Sequence, residues 1–133
     1  MKMKLFSVFL LLAILLIAGC NSNNSASING NSVKDTSPIK IGLLGPLTGE
    51  AASFGQNELA GAQLAVNEFN AKGGINGRKI EIIAEDDACS SKGVSAIQKL
   101  INVDDVNAIV GPACSGSGGP ALPIAQAAGV PTV

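Results

Sequence analysis

The spacing of hydrophobic residues along the chain predicts alternating strands and helices. Ile39 to Leu44 is a short apolar run ended by Gly45-Pro46, which predicts a buried strand. Four apolar residues then recur at spacings of three, four and three, which places them on one face of a helix: Leu59, Ala62, Val66 and Phe69. Ser53 is the predicted N-cap of this helix, and Gly73-Gly74 is predicted to end it.

The same alternation continues along the rest of the sequence. Two further strands are predicted, from Lys79 to Ala84 and from Ala108 to Val110. The segment between them carries apolar residues at helical spacing: Val94, Ile97, Leu100 and Ile101. A third helix is predicted from near Ser117 to Ala128, followed by a terminating Gly129. Pro131-Thr132-Val133 predicts the opening of a fourth strand.

This order of elements predicts an α/β fold, a doubly wound parallel sheet with right-handed crossovers and strand order 2-1-3. Ligands of such sheets bind beyond the carboxyl ends of the strands, and here those ends lead into Gly-, Ser- or Asp-rich loops at 44–53, 85–91 and 111–117. A three-residue strand cannot close a sheet, and about 95 ordered residues bury only a modest core. We therefore expect the domain to be incomplete, with its remaining half following Val133.

Composition narrows the possible functions. Charged residues make up 14% and hydrophobic residues 47% of the 133 residues, which excludes an intrinsically disordered chain. The formal net charge is −1, so no basic surface for nucleic acid is expected. The sequence contains no His, Trp or Tyr, which removes the commonest general base and zinc ligand. We expect a protein that is not an enzyme and holds no metal and no cofactor.

The N-terminus predicts export. Lys2 and Lys4 precede an apolar run from Leu5 to Ala18, which is typical of a signal peptide and short of the about 20 residues of a membrane-spanning helix. The run ends in Ile17-Ala18-Gly19-Cys20, which resembles a bacterial lipobox. Residues 1–19 are therefore predicted to be a lipoprotein signal peptide, Cys20 the lipidated residue, and polar residues 20–37 a flexible linker. The alternative is an ordinary signal peptide with an incidental cysteine.

Acidic residues and cysteines follow the predicted strands. Glu85-Asp86-Asp87 suggests a receiver-domain or Mg²⁺ site, but caps and loop hydrogen bonds explain these acids more simply. Cys89 and Cys114 form an even pair in an oxidising compartment, and a disulfide is possible if their loops lean together over the first strand. A metal site or a catalytic thiol is a weaker alternative for the two cysteines, because further ligands and a base are missing.

The loop at 111–117 is a candidate anion site. Its glycines are spaced as in a phosphate-binding loop, but Ser117 stands where the lysine of that motif would be. Ser115 offers a hydroxyl, and backbone N–H groups from Ser115 to Gly118 lie at a helix N-terminus, which favours a carboxylate. The alternative is that Ser115 or Ser117 only caps the helix.

Four segments together resemble the leucine/isoleucine/valine-binding proteins, which are type I periplasmic binding proteins serving ABC importers. They are Ile39-Lys40-Ile41-Gly42-Leu43-Leu44-Gly45-Pro46-Leu47-Thr48-Gly49, Ala71-Lys72-Gly73-Gly74-Ile75-Asn76-Gly77, Asp86-Asp87-Ala88-Cys89 and Cys114-Ser115. The resemblance covers nearly all of residues 38–133 and implies a truncated, Rossmann-like N-terminal lobe of a two-lobed solute receptor. It also implies a disulfide between Cys89 and Cys114.

The resemblance implies roles for individual residues. Ser115 matches the serine that binds the α-carboxylate of the ligand, and Phe54 stands where the family has an aromatic against the ligand side chain. Gly116 belongs to the same binding loop, where it and Gly118-Gly119 depart from a more serine-rich version. The expected partners are a branched-chain or related amino acid, an ABC permease complex and, through the lipid anchor, the cell membrane, with the domain in the periplasm or on the outer face. Alternatives are a receptor for amides, urea or another small polar solute, or an extracytoplasmic sensor.

Overall fold

A three-stranded parallel sheet forms the centre of the domain of residues 35–133. The computed structural model describes residues 35–133, so the predicted signal peptide, Cys20 and the linker up to Lys34 lie outside the described residues. The strands are β1 (Ile39–Gly45), β2 (Ile80–Asp86) and β3 (Ala108–Val110), in the order β2-β1-β3. Ile39 of β1 lies beside Ile80 of β2, and Ile41 lies beside Ala108 of β3. The predicted 2-1-3 order is confirmed.

Three helices cover the sheet: α1 (Ala52–Ala71), α2 (Lys92–Asn102) and α3 (Ser115–Ala128). Alternate residues of β1 point to opposite faces, so Gly45 lies against α1 while Leu44 packs with α2 and α3. Helices therefore cover both faces, as expected of a doubly wound α/β fold. Among residues 35–133, no helix combines the length and the apolar character needed to cross a bilayer.

The last residues pair with β3 as the predicted fourth strand requires. Thr132 forms a parallel bridge with Ile109. The N–H of Ile109 donates to the Pro131 carbonyl at 2.9 Å, and the N–H of Gly111 donates to the Val133 carbonyl at 2.8 Å. The sheet thus extends beyond β3, on the side away from β1.

The predicted N-cap of the first helix is wrong. Ser53 is the second residue of α1 and is exposed, whereas Ala51 occupies the N-cap without a side-chain hydrogen bond. The chain reaches the helix through a turn in which the N–H of Ala52 donates to the Gly49 carbonyl at 3.2 Å. Gly49 has a φ of 80°, a backbone conformation that favours glycine, and the turn that it forms leads directly into α1. The helix therefore begins without a capping hydrogen bond from Ser53. The end of α1 at Ala71, just before Gly73-Gly74, agrees with the prediction.

The predicted apolar stripe of α1 is only partly buried. Val66 is buried, but Phe69 is 54% exposed. Asn70 faces β2 instead, because its side chain accepts a hydrogen bond from the N–H of Ile80 and donates one to the Ile80 carbonyl, both at 2.8 Å. Neighbouring helical residues point about 100° apart, so an inward Asn70 turns Phe69 toward solvent.

The core lies between the sheet and the α2–α3 layer. Its buried members are Leu44, Ala96, Ile97, Leu100, Val106, Ile109, Ala121 and Ala125. Gly42 of β1 lets Leu100 approach the sheet, since a Cβ at Gly42 would stand 3.0 Å from one Leu100 methyl and 3.3 Å from the side chain of Ile109. The Leu100 side chain therefore occupies the space that a side chain at position 42 would need.

This close contact predicts that mutations at Gly42 and Leu100 have non-additive effects on the free energy of unfolding. Leu100→Ala should lower the free energy of unfolding by about 2–5 kcal/mol through cavity formation, and Gly42→Ala by about 1–3 kcal/mol through overpacking. The double variant should lose less than the sum, because each change relieves the other. Urea denaturation of the four proteins measures the coupling.

The matched control is Gly61→Ala, since Gly61 lies in α1 and a Cβ added there would meet no neighbouring atom within 4 Å. Its effect should simply add to that of Leu100→Ala. Strict additivity of Gly42→Ala and Leu100→Ala would contradict the contact between them.

Candidate functional site

The carboxyl ends of the three strands and the loops after them form one edge of the sheet, called here the carboxyl edge (residues 46–51, 87–91 and 111–114). α1 leaves β1 on one face of the sheet, and α3 leaves β3 on the other. A crevice between β1 and β3 is where such sheets bind ligands, because the two loops diverge there. The first turns of α1 and α3 flank this crevice.

Asp86 ties the β1–α1 loop to the end of β2. One carboxylate oxygen accepts hydrogen bonds from the N–H groups of Leu47 at 2.8 Å and Thr48 at 3.2 Å. The other accepts from the Thr48 hydroxyl at 2.6 Å and from Lys92 Nζ at 2.8 Å. The hydrogen bonds from Lys92, and then from Thr48, hold the pKa of Asp86 far below its ordinary value.

Asp87 is fully buried and ties the β2–α2 loop to α3. Its carboxylate accepts hydrogen bonds from the N–H of Cys89 at 2.8 Å and from the hydroxyl of Ser117 at 2.7 Å. Its own N–H donates to the Gly45 carbonyl at 3.0 Å. The two aspartates therefore act through loop hydrogen bonds, the simpler of the two sequence interpretations. Among residues 35–133, no three His, Cys, Asp or Glu side chains are grouped to hold a metal ion.

A disulfide joins the same two segments. Cys89 and Cys114 are bonded, with their Cα atoms 5.2 Å apart. Gly116 lies against the backbone of Cys89, since a Cβ there would stand 2.6 Å from the Cys89 carbonyl oxygen. The structure thus brings Cys89, Cys114 and Gly116 together at the start of α3.

The first turn of α3 (residues 115–118) begins two residues earlier than predicted. Cys114 is the N-cap, with extended backbone angles of −100° and 133°, and its carbonyl accepts the first helical hydrogen bond, from Gly118 at 2.8 Å. Gly118 is therefore not a free donor, which corrects the sequence expectation. Within residues 35–133, the N–H groups of Ser115, Gly116 and Ser117 have no acceptor, as is usual for a first turn.

Ser115 and Ser117 point to different surroundings. Ser117 is buried and donates to Asp87, whereas Ser115 is exposed and its hydroxyl makes no hydrogen bond with any other residue of 35–133. Neither side chain caps the helix. The exposed hydroxyl and the N–H groups of the exposed residues Ser115 and Gly116 together form a set of neutral donors that suits a carboxylate.

Phe54 lies in the first turn of α1, which follows the loop after β1. It is 72% exposed, so its ring presents an apolar surface beside the β1–α1 loop. Gly55 fixes the position of this turn, since a Cβ there would stand 2.2 Å from the Pro46 carbonyl oxygen. Phe54 and Ser115 each lie in the first turn of a helix, and these two helices lie on opposite faces of the sheet.

The lysines of α2 are paired with carboxylates. Lys92 Nζ lies 2.8 Å from Asp86, and Lys99 Nζ lies 2.7 Å from Glu85 and 2.9 Å from Asp104. The hydrogen bond that Lys99 donates to Glu85, and then the one that it donates to Asp104, raise the pKa of Lys99. The charges of these lysines are thus balanced within the domain, and the donors at the first turn of α3 are neutral.

The Asp86 contacts predict how stability depends on pH. Because its folded pKa lies below the ordinary value of 3.8, the carboxylate stabilises the fold fully above about pH 5 and loses this effect as pH falls below 3.8. Asp86→Asn should lower the free energy of unfolding by about 1–3 kcal/mol at pH 7. The difference in free energy of unfolding between wild type and Asp86→Asn should shrink steadily as the pH is lowered toward about 2.

Urea denaturation at a series of pH values measures this difference. Glu81→Gln is the control, because Glu81 is an exposed β2 residue away from the carboxyl edge, and it should stay within about 0.5 kcal/mol of wild type. If the difference in free energy of unfolding between wild type and Asp86→Asn were as large in acid as at pH 7, the charge of Asp86 would not be what holds the loops together.

Several proteins of known structure are similar to this chain. One is the branched-chain amino acid transporter substrate binding protein LivJ from Streptococcus pneumoniae in complex with isoleucine, with 42% identity, a TM-score of 0.68, and coverage of 71% of this chain and 28% of that one. Another is a solute binding protein from R. palustris in complex with benzoate, with 30% identity, a TM-score of 0.64, and coverage of 71% and 26%.

Two curated relatives are named as amino-acid-binding proteins. An amino acid binding protein of Pseudomonas aeruginosa is 41% identical over 106 residues, which are 79% of this chain and 28% of the relative. A leucine-, isoleucine-, valine-, threonine-, and alanine-binding protein of the same organism is 39% identical over 120 residues, 90% of this chain and 30% of the relative. The chain therefore spans less than a third of the length of these relatives.

The model of one protein family, described as periplasmic binding protein, matches residues 38–133. The match includes every strand and helix described above and both sides of the crevice. The chain belongs to the periplasmic binding protein family.

Proposed function

We propose that this chain supplies one wall of the ligand cleft in an extracytoplasmic substrate-binding protein of an ABC importer. The ligand is a branched-chain or related amino acid, and the function is binding and delivery without bond chemistry. The relatives support this proposal, since those of similar sequence are receptors for amino acids and LivJ was crystallised with isoleucine. A second lobe would close over the ligand and supply the contacts for its ammonium group.

The observation that carries the proposal is the first turn of α3. The N–H groups of Ser115 and Gly116 and the exposed Ser115 hydroxyl offer neutral donors at the positive end of a helix dipole, which favours a carboxylate. We assign the α-carboxylate of the ligand to this turn, with Gly116 giving backbone access. Phe54 on the other side of the crevice would contact the aliphatic side chain of the ligand.

A second ligand class also fits the donors. The R. palustris neighbour was crystallised with benzoate, which carries a carboxylate and an apolar body but no ammonium group. Amides and urea are further small polar candidates for the same fold. The ligands differ in what they ask of the opposite wall of the cleft, so direct titration separates them.

Isothermal titration of the full-length protein with leucine, isoleucine, valine, benzoate and acetamide tests the ligand class. Ser115→Ala should weaken leucine binding about 10-fold, since it removes one hydrogen bond to a charged group. Ser37→Ala is the matched control, because Ser37 precedes β1 at the opposite end of the sheet, and its affinity should equal that of wild type. Heat with acetamide or benzoate but none with the three amino acids would overturn the ligand assignment.

The proposed location rests on the N-terminal sequence. We propose that residues 1–19 are removed, that Cys20 is lipidated, and that residues 20–37 link it to the domain of residues 38–133. Each buried methylene of an acyl chain contributes about 0.8 kcal/mol, so two or three chains hold a protein durably at a membrane. The domain would then face the outside of the cell while remaining close to its permease.

Cys20→Ser should release the protein from the membrane fraction. Mass spectrometry of the wild-type protein should show an N-terminus at Cys20 carrying a diacylglyceryl mass, which the variant lacks. Ser22→Ala is the matched control and should stay in the membrane fraction with the lipid attached. A Cys20→Ser protein that still sediments with membranes would refute the lipid anchor.

A further inference from the structure

The buried carboxylate of Asp87 contacts both segments that meet at the first turn of α3. Through one oxygen it accepts the N–H of Cys89 at 2.8 Å, and through the other it accepts the hydroxyl of Ser117 at 2.7 Å. The Ser117 hydroxyl has a single proton and also lies 3.0 Å from the Cys114 carbonyl. The shorter approach to a carboxylate makes Asp87 its acceptor.

The segment that Asp87 holds is strained. Ala88 and Cys89 follow it with φ values of 47° and 51°, a region that residues with a Cβ rarely occupy. The N–H of Ala88 donates to Asp86 at 3.1 Å, and that of Cys89 donates to Asp87 at 2.8 Å. These hydrogen bonds hold two consecutive left-handed residues, so that Cys89 faces Cys114 and Gly116.

Two glycines show how closely the parts fit around this carboxylate. A Cβ at Gly93, in the first turn of α2, would stand 2.8 Å from the Cβ of Ser117. A Cβ at Gly116 would stand 2.6 Å from the Cys89 carbonyl oxygen. Glycine at both positions allows α2, the β2–α2 loop and α3 to meet at Asp87, where neighbouring side chains would otherwise hold them apart.

We infer that Asp87 is a positioning residue for the carboxylate site. By binding Ser117 and Cys89 it fixes the first turn of α3 against the β2–α2 loop, and so aims the N–H groups of the exposed Ser115 and Gly116 into the crevice, while Ser117 itself stays buried. This inference rests on the proposed function. Asp87 itself does not touch the ligand, because it is buried behind the turn.

The contacts predict which substitution preserves the site. In Asp87→Asn the amide oxygen can accept the N–H of Cys89, and the amide NH₂ can donate to the Ser117 hydroxyl. That hydroxyl then donates to the Cys114 carbonyl, already 3.0 Å away, so the Cys89 N–H and the Ser117 hydroxyl both keep a partner and the contact with Ser117 is retained. Asp87→Ala leaves the Cys89 N–H without its acceptor and removes the contact between Ser117 and the β2–α2 loop, because the Ser117 hydroxyl can then donate only to the Cys114 carbonyl at the start of its own helix.

Titration with L-leucine provides the first test. Asp87→Ala should weaken binding by about 10-fold or more, the range seen when groups that orient a ligand-contacting residue are removed, while Asp87→Asn should stay near wild type. The effect of Ser115→Ala should be markedly smaller in the Asp87→Ala background, because the donors are already misaligned. If Asp87→Ala does not fold, Ser117→Ala breaks the same contact and should behave alike.

Asp104→Ala is the matched control, because Asp104 also accepts a side-chain hydrogen bond, from Lys99 at 2.9 Å, but follows the C-terminal end of α2. It should bind leucine as wild type does. An Asp87→Ala protein with wild-type affinity, or Ser115→Ala and Asp87→Ala effects that simply add, would overturn the positioning role.

NMR relaxation dispersion of the ligand-free protein separates this inference from the proposed function. The amides of residues 115–117 should show microsecond-to-millisecond exchange in Asp87→Ala but not in wild type or Asp87→Asn. Absence of exchange in Asp87→Ala would overturn the inference even if leucine binds. If Asp87→Ala shows this exchange but the wild-type protein does not bind leucine, the positioning role of Asp87 stands and leucine is rejected as the ligand.

Discussion

The geometry of the carboxyl edge depends on the buried carboxylate of Asp87. This group lies where α2, the β2–α2 loop and α3 meet. Burying a carboxylate is costly unless hydrogen bonds compensate it, so the surrounding chain has to bring donors to Asp87. Asp86 precedes it at the end of β2, and successive residues of an extended chain point to opposite sides. As a result Asp86 binds the β1–α1 loop, while Asp87 binds α3. Two adjacent acids thereby fix both sides of the crevice.

Much of the fold was predictable from the sequence because the signals are local. Helical spacing and short apolar runs depend on neighbours within one or two turns, so the strands and helices were found with small errors at their ends. The alternation of elements predicts a doubly wound parallel sheet, and 2-1-3 is one of the two common strand orders of such sheets. β2 extends to Asp86, beyond the predicted Ala84, because its last two residues still pair with Leu44 and Gly45 of β1.

The errors arise where tertiary contacts outweigh local patterns. Phe69 matched the apolar stripe, but only the position of β2 shows that Asn70 can bond both backbone groups of Ile80. Ser53 matched an N-cap, but a glycine turn had already begun the helix. Similarly, nothing in Glu85-Asp86-Asp87 shows which acid is buried, since Asp87 reaches Ser117 across thirty positions of sequence. A partial signal was available in Gly93 and Gly116, whose lack of side chains permits that approach.

The proposed site differs from one that captures anions with a positive charge. The lysines of α2 are balanced by Asp86, Glu85 and Asp104, so binding at α3 would rely on oriented dipoles. Dipoles attract an anion only when they point at it, whereas a charge attracts from many directions. A site of this kind therefore gains most from a rigid frame, because ordering loops during binding would subtract from affinity. The disulfide, the two aspartates and the close glycine contacts supply that frame before any ligand arrives, which accounts for so many constraints converging on one helical turn.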